Sequence, residues 1–98
     1  MKTGIELITE ERERQLTKWP SKHDDLHFQG EILQGALSYI EISAYNKESP
    51  PESVEMEHWW PWDLETFKPG NPVDGIRCLV KAGAMIAAEI DRIQRRTV

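Results

Sequence analysis

The chain has 98 residues, 39% of them hydrophobic and 30% charged, with a formal net charge of −5. That length supports one domain (1–98) with a modest core, the composition excludes a disordered chain, and the acidic balance excludes bulk attraction to nucleic acid or anionic lipid. A single Cys78 excludes an internal disulfide and a Cys-rich zinc site, and no apolar run or amino-terminal signal core is present, which predicts a cytoplasmic chain with no membrane span.

Residues Thr3 to Thr17 are expected to form a first helix, with Ile5, Ile8 and Leu16 as a sparse apolar side and Thr3 or Thr9 as N-cap. Its polar side dominates, which places it on the outside of the domain with most of its charges in water. Pro20 then pushes Trp19 out of the helical region. From His27 to Tyr45, Ile32, Leu33, Ala36, Leu37, Ile40 and Ala44 recur every three or four residues and predict a second helix, which Gly30 and Gly35 weaken unless a neighbour needs the close approach. Pro50 and Pro51 follow it.

Residues 46–72 carry no long periodic pattern, more than a compact domain leaves structureless. "PWDLETF" predicts a short helix within them, with Pro61 at its first position. The last helix, from Val73 or Asp74 to Arg95, carries one stripe of Ile76, Leu79, Val80, Gly83, Ile86, Ala87, Ile90 and Ile93, widened by Cys78, Ala82 and Met85, and is expected to be central. Glu89 on the widened stripe is expected to be partly buried and to need a partner. The prediction is therefore an all-α domain of three main helices with a long Trp-rich connection containing a short helix.

Two segments carry candidate chemistry. In "KHDDLHFQGE" a helix beginning by His23 would set His23, His27 and Glu31 along one face, a metal-ligating spacing that Glu10, Glu13, Glu89 or Asp91 from other helices could complete. The competing structural reading has Asp24 and Asp25 stabilising a helix start while His27 and Glu31 form a local pair. In "HWWPWD" the tryptophans either fold the long connection onto the last helix as core, or form an aromatic wall for a planar ligand with Asp63, Glu65 or Lys68 as polar contacts.

Taken together, "ERERQ", "KWPSKHDDLHFQGEI", "WWPWDLETFKP" and "VKAGAMIAAEIDRI" resemble, over nearly the whole chain, a family of small phage and prophage proteins with an ERxRQ, GW, HDDxHxxGEL, WPWD, KP and LVKAGALIxAEIERL pattern. Lys18 stands where that family carries Gly before Trp19, and "NPVDGIRC" replaces a more basic stretch, which weakens any anion site there. The resemblance implies a viral or prophage accessory protein and names no reaction. The order of charged helix, Trp, acidic turn, Pro-aromatic-acid segment and closing helix is also similar to ryanodine-receptor-type repeat domains, a likeness that implies nucleotide-like or protein ligands.

The leading expectation is a ligand-binding or protein-interaction module in which the tryptophan segment and the HDDxH turn build one shared pocket or interface, with Trp19, Trp60 and Trp62 providing the aromatic surface and His23, Asp25, His27 and Asp63 the polar specificity. The ligand is then a small molecule or a protein, and the sequence identifies no particular cofactor. The alternative is a MazG-like, metal-dependent nucleoside triphosphate pyrophosphohydrolase with His23, His27, Glu31 and Glu89 as ligands, although such chemistry needs several converging carboxylates. A third option is a subunit that completes its core in a homo-oligomer.

Overall fold

In the computed structural model, residues 1–19, 24–27, 29–45, 60–70 and 72–96 are described. They form three α-helices, α1 (Gly4–Lys18), α2 (Glu31–Tyr45) and α3 (Gly75–Arg96), with a single 3-10 turn at Leu64–Thr66. Among the described residues there is no strand, and the all-α expectation holds. No helix of the described residues is long and apolar enough to cross a membrane.

Local chemistry sets the helix ends. Thr3 caps α1 through a reciprocal box, its Oγ1 accepting from the Glu6 N–H at 3.2 Å while the Glu6 carboxylate accepts from the Thr3 N–H at 3.1 Å. The second helix begins at Glu31 and not near His27, because Gly30 has a φ of +87°, a left-handed conformation no helix interior accommodates. Asp74 starts α3, its carboxylate accepting from the Arg77 N–H at 3.0 Å. The short helix expected from Pro61 is one 3-10 turn that begins only after Asp63.

Helix α3 packs against both other helices. It runs antiparallel to α2, since Gly35 faces Met85 while Tyr39 lies against Lys81 further back along α3. A Cβ at Gly35 would stand 2.8 Å from the Trp62 ring and closer still to Met85, so glycine is what lets α2 lie this near. On the α1 side, Gly83 receives Ile8. The core joins Ala36, Tyr39 and Ile42 of α2, Cys78 and Ala82 of α3, and Trp60 and Val73 from the connection.

The buried side of α3 is its small-residue side, with Cys78, Val80, Ala82, Ala84 and Ala88 inside. The large residues of the stripe, Ile76, Leu79, Ile86, Ile90 and Ile93, are instead exposed. Short side chains allow two helices to approach α3 on two flanks, and the bulky side is left outward. In helix α1 the expected apolar side is only partly inside: Ile8 packs on Gly83, whereas Ile5 and Leu16 are exposed and Glu11 is buried.

Candidate functional site

The connection folds back across α2 and α3 through a set of hydrogen bonds. The Trp60 indole N–H donates to the Asp63 carbonyl and to Thr66 Oγ1, both at 3.1 Å. The Lys68 N–H donates to the Tyr39 hydroxyl at 3.1 Å, and Lys81 Nζ donates to the Lys68 carbonyl at 2.8 Å. Gly70, with φ +92°, turns the chain so that the Pro69 carbonyl accepts from the Asp74 N–H. Burial pushes the Tyr39 hydroxyl and the Cys78 thiol up in pKa, and it lowers that of Lys81, with Arg77 adding to the effect.

The rings form a continuous cluster. Trp60 packs on Tyr39, Phe67 and Trp62 with centroid separations of 5.4, 4.9 and 5.1 Å. Trp62 in turn meets the His27 imidazole edge to face at 5.3 Å. Trp60 is thus core, while Trp62 is only half-buried.

Between this cluster and the C-terminal half of α1 lies a cleft of about 820 Å³, within the range of small-molecule sites. Its aromatic wall is Trp19, Tyr39, Trp60 and Trp62, and its cations are Arg12, Arg14, Lys18, Lys68 and Lys81. The acids on its lining are Glu11, Asp24 and Asp63.

Two of those acids are held by arginine. The Glu11 carboxylate accepts from Arg14, from Gln15 and, across to α3, from Arg77 at 2.5 Å. Burial alone would raise its pKa, but the hydrogen bonds from Arg14 and Arg77, the Arg77 charge and the Gln15 amide outweigh it and hold the group at about 2. Asp24 is buried beside Arg12, which also donates to Asp91 at 3.1 Å. Arg12 Nε is buried with no hydrogen-bond partner among the described residues. Cations therefore prevail on the lining of a chain whose overall charge is −5.

Of the residues expected from sequence to bind a ligand, Trp19, His27, Trp60, Trp62 and Asp63 line this one cleft. Asp25 does not; it is exposed and accepts from Arg95 at 2.7 Å. His23 lies outside the described residues. Of the expected metal ligands, His27 Nδ1 is 3.5 Å from Glu31, and Glu89 is bound to Arg92 at 2.5 Å. Glu31 is held below the usual carboxylate range: burial opposes this, and the N–H groups of Glu31 and Gln29, with His27, prevail. Among the described residues no three His, Cys, Asp or Glu side chains are grouped so as to hold a metal ion.

Sequence reasoning missed Tyr39, Glu11, Arg14 and Lys81 as lining residues. The spacing of Glu11 to Arg14 and Gln15, three and four positions on, was the available signal for a bound carboxylate. Lys81, a cation amid a long apolar run, was another. No family model, curated protein or solved structure matches the chain.

Proposed function

We propose that this chain is a small ligand-binding module, a phage or prophage accessory protein, whose cleft takes an anionic planar ligand of nucleotide type. The observation that carries the reading is the pairing of an aromatic wall with an excess of cations on one cleft of an acidic chain. Trp62 and Trp19, the less buried of the described tryptophans, stack on the planar part. Lys18 and Lys68 at the rim meet the negative charge, and Arg12 offers its buried donor. His27 and Asp63 add polar contacts, and the motif resemblance to phage proteins suggests the setting.

The pyrophosphohydrolase reading is less favoured, because Glu89 is engaged by Arg92 and no acidic group of three converges among the described residues. Titration of the protein with a panel of nucleoside mono-, di- and triphosphates, followed by tryptophan fluorescence and calorimetry, tests the proposal. Saturable quenching by at least one nucleotide is expected, with affinity lowered about 5- to 100-fold in Trp62→Ala, the loss of one stacked base. No quenching and no calorimetric heat at millimolar nucleotide would remove the reading. Release of pyrophosphate with magnesium or manganese present would favour the hydrolase instead.

A further inference from the structure

We infer that the outward side of the α2 and α3 pair is a self-association surface on which a second copy of this chain docks by the same face. On α3 the exposed Ile76, Leu79, Ile86, Ile90 and Ile93 fall at the three- and four-residue spacing of a heptad seam, whose intervening position, Gly83, lies at its margin under Ile8 of α1. On α2 the exposed Leu33, Leu37 and Ile40 repeat the same spacing. At about 100° per residue, Leu79 and Ile86 point nearly opposite to Lys81 and Ala88, which line the cleft, so the surface and the cleft lie on opposite sides of α3.

Area selects the kind of partner. These side chains are from 37% (Ile40) to 70% (Ile76) open to solvent, and together they leave on the order of 700 Å², above the usual largest patch on a monomer and close to the ~800 Å² each partner gives to a standard interface. No Lys, Arg, Asp or Glu interrupts either stripe. Charge sets the direction: α3 begins at acidic Asp74 and ends at Arg95 and Arg96. An antiparallel copy brings those unlike ends and the opposed helix dipoles together, whereas a parallel copy stacks like on like. A net charge of −5 disfavours an anionic bilayer as occupant. A two-fold arrangement of this kind closes on itself and leaves both clefts open.

Sedimentation equilibrium of the full chain from about 1 to 100 µM tests the inference, beside Ile86→Glu/Ile90→Glu and, on the other helix, Leu37→Glu. The expected result is a wild-type mass of twice 11.4 kDa, with association weakened at least about 100-fold in the double variant and less in Leu37→Glu, while helical circular dichroism is retained. A wild-type chain that is monomeric throughout, a double variant that still dimerises, or a monomer that instead co-sediments with phosphatidylcholine and phosphatidylglycerol vesicles would overturn it. Nucleotide titration of the double variant separates this from the cleft reading, since its cleft residues are untouched.

Discussion

His27 and Trp62 stand edge to face, their ring centroids 5.3 Å apart and their planes at 72°. This contact fastens the acidic turn before α2 to the tryptophan connection after it, and both rings line the cleft. An edge-to-face pair contributes about 0.5–1.5 kcal/mol beyond the area it buries. His27→Ala is therefore expected to lower stability by about 1 kcal/mol and to change Trp62 emission, whereas Asp25→Ala, whose exposed carboxylate pairs with Arg95 and which does not line the cleft, leaves emission unchanged. Urea titration monitored by tryptophan fluorescence checks both.

Glu11 gives the fold an acid-sensitive joint. Its carboxyl is held at about 2 against an ordinary value near 4.5, so the folded state binds the proton less readily than the unfolded one. Its contribution is complete above about pH 4.5 and is lost as pH falls from there toward 2. The shift corresponds to on the order of 2–3 kcal/mol, at the lower end because Arg14 and Arg77 are both substantially exposed. Glu11→Gln should cost about 2 kcal/mol at pH 7 and flatten the acid limb of a plot of Tm against pH between 4.5 and 2. An unaltered acid limb in the variant would show that other carboxylates control the transition.

Gly35 is the point where α2, Met85 and Trp62 converge. In an open helix Gly→Ala gains about 1 kcal/mol. Here the added methyl meets a tryptophan ring at 2.8 Å, and overpacking of this kind costs about 1–3 kcal/mol. Met85 can swing its terminal methyl aside, but the ring is held between His27 and Trp60. Gly35→Ala should lose about 1 kcal/mol net in chemical denaturation, and Gly35→Ala/Met85→Ala should not recover it, because Trp62 remains.

The three helices and the tryptophan connection were legible because periodicity and Pro or Gly breaks act locally. Which side of each helix faces inward was less so. Amphipathic reasoning places the largest apolar side chains inside, and in α3 this fails: the Ala and Cys side is buried between two neighbours while Ile76 and Ile90 remain outside. In α1 the charges were expected mostly in water, yet Glu11 is buried on the same side as the inward Ile8, while Ile5 and Leu16 are exposed. The meeting of His27 with Trp62 depends on Gly30 at φ +87° reversing the chain just before α2. No pattern in the sequence specifies that angle, so the two segments could be expected to share one site, but the ring contact of His27 with Trp62 could not be named in advance.

Glu89 and Arg92 form a buried pair one turn apart on α3, with side chains 6% and 8% exposed. A buried charge that loses its partner keeps its desolvation penalty with nothing to offset it, whereas removal of both charges removes both penalties. Glu89→Ala should therefore lower Tm more than Glu89→Met/Arg92→Met does, even though the latter changes two residues. Arg92 carries the sharper consequence: its guanidinium pKa is raised first by the Glu89 hydrogen bond, with Glu89, Asp25 and Glu31 adding charge attraction. In Glu89→Ala the charge attraction of Asp25 and Glu31 remains, so Glu31→Gln should cost more in the Glu89→Ala background than alone. A double-mutant cycle read by thermal denaturation measures that coupling, and additive losses would mean that Arg92 depends on Glu89 only.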